Sequence, residues 1–253
     1  MLHYNFYKSD HPSNQLLILL HGFISDSQTY TNHIETFLTQ CNVLTIDLPG
    51  HGQDTSDMSD TWDFPYIAHA LDEVLSQYHM YDVYLLGYSM GGRVALYYAL
   101  NGSVALRGLL LESTSAGIQS EADKVERVQV DAARAKVLEI AGLEIFVNDW
   151  EKLPLFRSQY ELDAEVRKAI RANRMSQNPV RLAKALRDYG TGNMPNLWPH
   201  VSSLSVRTLI LTGEKDEKFV QIGQKLKEEI PNSRTVQVSD VGHTIHVEDS
   251  AEF

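Results

Sequence analysis

Leu85-Leu86-Gly87-Tyr88-Ser89-Met90-Gly91-Gly92-Arg93 is the stretch that decides the fold. A short apolar run, Val83 to Leu86, leads into it and reads as a buried strand. Arg93-Val-Ala-Leu-Tyr-Tyr-Ala-Leu100 follows at once and reads as a helix. Gly-x-Ser-x-Gly between strand and helix predicts a turn so tight that it needs its glycines, with Ser89 held exposed above the sheet edge in a strained backbone conformation. The Met90 N–H then points toward negative charge that develops beside the serine. The pentapeptide alone occurs in ordinary turns; the strand before it and the helix after it make the signal specific.

Leu16-Leu-Ile-Leu-Leu20 has the length and composition of a buried parallel strand and runs straight into His21-Gly22-Phe23. Val43 to Ile46 is a further strand, ending at the turn-rich Asp47-Leu-Pro-Gly-His-Gly52. Phe64 to Tyr78 has helical apolar spacing and starts with Pro65, suited to a first turn. Leu106 to Leu111 is the next strand. This alternation predicts an α/β fold with a mostly parallel central sheet. From Ser120 to Tyr189 the pattern is helical throughout. Ser120 reads as a cap, Gly142 as a stop, Asn178-Pro179 as a second start and Gly190 as its end. Strand character returns at Val206–Leu211, followed by a helix over Phe219–Ile230 and a short strand over Arg234–Val238. The expected organisation is one α/β core, residues 1–115 and 197–253, carrying a helical lid inserted at 116–196. The chain closes about ten residues beyond His243, short of the helix such a core ordinarily packs there, and a shortened C-terminus is the expectation.

The 253 residues suit one large domain with an insertion. Their net charge of −11 argues against nucleic acid or an anionic membrane as partner. No apolar run approaches the length of a bilayer span. Met1 to Lys8 alternates like an edge strand and lacks the basic and apolar regions of a signal peptide. The single Cys41 cannot form an internal disulfide, and no Cys/His cluster has zinc spacing, so neither metal nor cofactor is expected and the setting is cytoplasmic. Oligomeric state is open, with a monomer as default. Residues 121–189 hold 13 of the 22 Lys and Arg residues and eight of the twelve arginines. Most of these are solvated helix charges; a few turned inward would face an anionic small-molecule substrate.

A serine hydroxyl needs an imidazole beside it to react. Of ten histidines, His243 in Val241-Gly-His-Thr244 stands after the last strand, where the chain order serine, acid, histidine requires it. His246 reads as its neighbour. His21 and His51 lie in loops at the same edge but precede the serine, and the other six read as surface or packing residues. Asp216, after the strand ending in Leu211, is the expected acid, fixing the imidazole tautomer and stabilising its charged form. Glu214 and Asp240 are its rivals, and Asp47 reads as a loop organiser. Gly22 lets the backbone come close to a ligand, so the Phe23 N–H would join that of Met90 in an oxyanion hole.

Taken together and in this order, His-Gly-Phe, Asp-Leu-Pro-Gly-His-Gly, Gly-Tyr-Ser-Met-Gly-Gly-Arg and Val-Gly-His resemble the α/β-hydrolase superfamily along nearly the whole chain. Within it the chain is most similar to the 2-succinyl-6-hydroxy-2,4-cyclohexadiene-1-carboxylate synthases, lyases of menaquinone biosynthesis. Arg93, Arg127, Arg174, the Asn148-Asp-Trp150 segment and the Gly213-Glu-Lys-Asp-Glu-Lys218 loop carry that narrower likeness. The resemblance implies proton removal and expulsion of pyruvate from a substrate with several carboxylates, without water and without an acyl-enzyme. It further implies that Ser89, activated by His243, is the base. Arg93, Arg127 and Arg174 would grip carboxylates, for which a planar guanidinium suits better than lysine. Tyr88 and Trp150 would line the pocket. Arg171 is an alternative to Arg174, and Arg181 reads as an exposed residue outside the site. Two other readings stay open: a carboxylesterase or carbon–carbon bond hydrolase with the same triad, and a non-catalytic binding protein of the same fold.

Overall fold

Seven strands build one sheet in this computed structural model, which describes residues 2–253. They are β1 (His3–Tyr7), β2 (Gln15–Leu20), β3 (Asn42–Asp47), β4 (Asp82–Tyr88), β5 (Leu106–Glu112), β6 (Arg207–Gly213) and β7 (Ser233–Val238). Their order across the sheet is β1-β3-β2-β4-β5-β6-β7, with every neighbouring pair parallel except β1 and β3. The alternating N-terminal run thus is an antiparallel edge strand, apart from Met1, which lies outside the described residues. Leu16, Ile18, Leu19 and Leu20 of β2 are fully buried, as a strand covered on both faces must be.

Helices cover both faces. α1 (Thr31–Leu38) lies between β2 and β3, α2 (Phe64–Leu75) and α3 (Met90–Asn101) flank β4, and α8 (Glu217–Glu229) joins β6 to β7. α1 went unread in the sequence because only His33 and Ile34 of its eight residues are buried, too sparse a stripe to show a period. The Asp63 carboxylate accepts the Tyr66 N–H at the start of α2, with Pro65 in its first turn. α8 starts two residues before the expected Phe219 because Asp216 caps it.

Between β5 and β6 the chain runs through α4 (Glu121–Ile140), α5 (Leu143–Trp150), α6 (Ala164–Met175) and α7 (Pro179–Tyr189). The expected punctuation is present. Ser120 Oγ accepts the Asp123 N–H, Gly142 lies at φ +84° after α4, and Asn178 Oδ1 accepts the N–H groups of Val180 and Arg181. One stretch departs from a continuous helical reading: Pro154–Glu161 is 3-10 helix. Leu153, ahead of Pro154, is extended at ψ 139°, since the proline ring excludes the helical region for its predecessor. Ala135 and Leu138 of α4, Phe146 and Val147 of α5 and Leu182, Ala183 and Leu186 of α7 form one apolar cluster with Ile24. Ile24 sits just beyond the carboxyl end of β2, so the inserted helices rest over the edge of the sheet where β4 delivers Ser89.

Candidate active site

Ser89 follows the last residue of β4 and precedes the first of α3, at φ +51° and ψ −105°. An L-residue there carries roughly 1–3 kcal/mol of strain, so neighbours must hold it. Its N–H donates to Glu112 O at 2.8 Å, and its carbonyl accepts Thr114 Oγ1 at 2.7 Å. A Cβ on Gly87 would strike the Gly91 carbonyl, and one on Gly91 the carbonyls of Leu20 and His21. The turn can close only with glycine at both positions.

The strained turn brings Ser89 Oγ to 3.0 Å from His243 Nε2, while His243 Nδ1 lies 2.6 Å from Asp216 Oδ2. His243 and Asp216 are buried. The second Asp216 oxygen accepts the Phe219 N–H at 3.4 Å, so the start of α8 fixes the carboxylate's orientation. Neither rival acid touches the imidazole: Glu214 and Asp240 are exposed, and the Glu214 carboxylate accepts the Asp240 N–H. His21 is committed elsewhere. Its Nδ1 lies 2.7 Å from Gly22 O, and its Nε2 accepts the Leu48 N–H. His51 is fully enclosed; burial, and then the nearby His21, lower its pKa to about 3. His246 is indeed a neighbour, but one layer below: Nδ1 faces Glu112 at 2.8 Å and Nε2 faces Thr29 Oγ1 at 2.9 Å. Asp47 organises its loop, accepting the N–H groups of Ser27 and Gln53.

Above Ser89 opens a chamber of about 740 Å³, lined by Phe23, Tyr88, Met90, Arg93, Arg127, Trp150, Asp216 and His243 among others. Met90 is the first residue of α3, and an N–H in a helix's first turn has no acceptor within the helix. Gly22 turns out to serve the Tyr88 ring, which occupies the space its Cβ would need. Tyr88 OH shares a hydrogen bond with Thr244 Oγ1 at 2.8 Å, and burial pushes its phenol pKa up. Arg93, though largely buried, lines the chamber, its Nη1 donating to neutral Thr191 Oγ1 at 2.7 Å. Burial, and then the charge of Arg127, bring its pKa down to about 10, so the guanidinium stays charged at neutral pH. Arg127 is half-exposed and pairs with Asp131 at 2.8 Å.

The arginine set expected from sequence is not brought together entire. Arg174 lines a neighbouring cavity of about 300 Å³, where it pairs with Glu151 at 3.2 Å and donates to Gln159 Oε1 at 3.0 Å. Arg171 lines the same neighbour and is paired with Glu151 and Asn148. Gln159 in turn donates to Thr244 Oγ1, which separates Arg174 from Tyr88 by two side chains. Arg181 is no exposed bystander: it is half-buried, paired with the fully buried Asp54 at 2.6 Å and laid over the Trp62 ring. Arg134, which sequence reading passed over, lines the Ser89 chamber. Its signal was available, since it stands seven residues, two helical turns, beyond Arg127 on one face of α4. Thr191 and Gln159 carried no such signal, lying in 3-10 segments without a period.

A family model for the alpha/beta hydrolase fold matches residues 15–250. A protein of Bacillus subtilis (strain 168), provisionally assigned as a 2-succinyl-6-hydroxy-2,4-cyclohexadiene-1-carboxylate synthase, is 35% identical over 242 residues, 95% of this chain and 88% of its own length. The synthase of that name from Salmonella agona (strain SL483) is 32% identical over 240 residues, 95% of this chain and 91% of its own. The solved structure of MenH from S. aureus is 60% identical and superposes with a TM-score of 0.99, covering 100% of this chain and 95% of that one. With its elbow serine, its sheet order and these relatives, the chain belongs to the alpha/beta hydrolase fold family and, within it, to the 2-succinyl-6-hydroxy-2,4-cyclohexadiene-1-carboxylate synthases.

Proposed function

We propose that this protein is a lyase of menaquinone biosynthesis that eliminates pyruvate from an enolpyruvyl-cyclohexene polycarboxylate, with Ser89, His243 and Asp216 acting together as the base. The product named for the relatives places a succinyl ketone on the ring, which acidifies the proton on the adjoining ring carbon. Ser89 Oγ passes its proton to His243 Nε2 and takes that ring proton, and Asp216 stabilises the imidazolium. The electron pair moves onto the ketone oxygen, held by the Phe23 and Met90 amides. Its return forms a new ring double bond, shifts the existing one and breaks the carbon–oxygen bond to the enolpyruvyl group. That group leaves as the enolate and takes up the proton held by His243 to become pyruvate. No water adds and no acyl-enzyme forms.

The observation that carries this reading is the buried, charged Arg93 one helical turn beyond the nucleophile, facing no carboxylate of its own. A neutral ester gives such a cation nothing to bind; a substrate carboxylate does. Arg127 acts with it, and Tyr88 and Trp150 shape the walls. Arg174 takes part by exchanging Glu151 for a substrate carboxylate. Residues 116–196 are the lid that shelters these contacts from water. A cytoplasmic setting fits the lone Cys41, and no helix among the described residues is long and apolar enough to cross a membrane.

The test is pyruvate release from the enolpyruvyl substrate by wild type and Ser89→Ala, beside hydrolysis of a p-nitrophenyl ester. Release by wild type, lost in the variant, with slow ester turnover is expected. Fast ester hydrolysis without pyruvate release would instead make the protein a carboxylesterase.

A further inference from the structure

The chamber wall holds more positive charge than its own carboxylates answer. Arg127 and Arg134 converge on Asp131 from positions four before and three after it on α4, at 2.8 and 3.8 Å. Asp131 is buried and also accepts the Gly192 N–H at 3.1 Å. Gly192 adjoins Thr191, the hydroxyl that receives Arg93. One carboxylate therefore anchors a network of three guanidiniums. The Arg134 contact is too long for a hydrogen bond, which leaves its donors unspent. Burial, and then Arg127, push the Arg134 pKa down against the opposing pull of Asp131. Its guanidinium lies 5.4 Å from the centre of the Trp150 ring. The Trp150 Nε1 is buried and has no partner, although the residue lines the same chamber. A cationic donor group without a hydrogen bond thus stands at the chamber wall, over a ring whose own N–H is also without an acceptor.

We infer that Arg134 is a further carboxylate-binding residue of the Ser89 chamber, held in place by Asp131 as a positioning residue. The inference rests on the lyase reading and deepens it. The product named for the relatives bears a ring carboxylate and a succinyl carboxylate, and three guanidiniums against one acid leave room for both. A planar fork lying over the Trp150 ring suits a carboxylate, which accepts at two oxygens. Because Arg134 sits on α4, away from the elbow, its grip is present before and during proton removal alike. It therefore acts on KM rather than kcat.

The experiment measures KM and kcat for pyruvate release over a range of NaCl concentrations, in wild type, Arg134→Gln and Arg134→Lys. Arg134→Gln is expected to raise KM about tenfold with kcat within a factor of two, and to make KM climb less steeply with salt, because one screened attraction is gone. Arg134→Lys keeps the charge and loses the fork, so its KM should rise about threefold with the wild-type salt dependence. A KM at the wild-type value in Arg134→Lys and in any folded Arg134→Gln overturns the inference, and so does a fall in kcat at unchanged KM, which would make Arg134 a packing residue of the insertion. No pyruvate release by wild type is a different failure, since it removes the lyase reading itself and this inference with it.

Discussion

Replacing Asp216 by Asn changes one atom, yet the geometry around it predicts a large loss. Asp216 uses both oxygens: Oδ2 faces His243 Nδ1 at 2.6 Å, and Oδ1 accepts the Phe219 N–H at 3.4 Å. An amide offers only one oxygen. If that oxygen stays on the α8 N–H, the NH2 group faces His243 and forces Nδ1 to accept. The proton then sits on Nε2, 3.0 Å from Ser89 Oγ, where it blocks the transfer the reaction needs. The productive orientation turns the NH2 group onto the Phe219 N–H, which costs about 1–2 kcal/mol for the lost cap, a factor of roughly 5 to 30. Even then the imidazolium has lost a charged partner in a buried setting, worth about 1.5–3 kcal/mol or a further ten- to hundredfold. The two combine to a fall in kcat of roughly a hundred- to several-thousandfold. The assay is pyruvate release followed with time, beside urea unfolding of the same sample. The unfolding midpoint should scarcely move, because Asn also caps helices well. Asp240→Asn, at an exposed site remote from the imidazole, should keep most of the rate. A loss below tenfold for Asp216→Asn, or a worse loss for Asp240→Asn, would refute the assignment of the acid.

Ser89→Ala and His243→Ala should each lower the rate by several orders of magnitude with unfolding curves near wild type; a residual above about a tenth would sink the base assignment, since positioned base catalysis alone contributes roughly 10²–10⁴-fold. Arg93→Ala, Arg127→Ala and Arg174→Ala should each cost about ten- to a hundredfold in kcat/KM with the anionic substrate, the worth of one hydrogen bond to a charged group. The control is the exposed Arg234 on β7, which should change nothing when made Ala, because Arg181 is tied to Asp54 and cannot serve. Equal losses on a neutral ester would turn these arginines into supports of the inserted helices. His51 offers a pH test. Its pKa is lowered from the ordinary 6.5 to about 3, so the unfolded chain binds the extra proton, and stability present above pH 6.5 is lost as pH falls toward 3. At pH 5 this amounts to about 2 kcal/mol relative to neutral pH. Urea midpoints of His51→Leu should therefore fall less between pH 7.5 and pH 5 than those of wild type, and parallel slopes would refute the burial argument.

Much of this protein is written in short stretches of its chain. Gly87 is excluded from bearing a side chain by Gly91 and Gly92 a few residues on, so the elbow motif is legible locally and Ser89 comes with it, although Gly91 is also held bare by the end of β2. The caps at Ser120 and Asn178 are satisfied by hydrogen bonds within a few residues. The apolar runs at 16–20 and 106–111 are legible from composition alone, although their backbone groups pair with distant strands. The order of Ser89, Asp216 and His243 along the chain names three residues that the structure then brings within hydrogen-bonding distance. Charge partners are another matter. Nothing near Arg181 in sequence announces Asp54, 127 positions away, and nothing near Arg174 announces that Glu151 and Gln159 draw it out of the Ser89 chamber. His246 met Glu112 across 134 residues, and the space a Gly22 Cβ would need is filled by the Tyr88 ring from β4. A guanidinium on a long flexible stem reaches several places from one Cα, and only packing selects among them. Sequence determined where the nucleophile stands; tertiary structure decided which charges look at it.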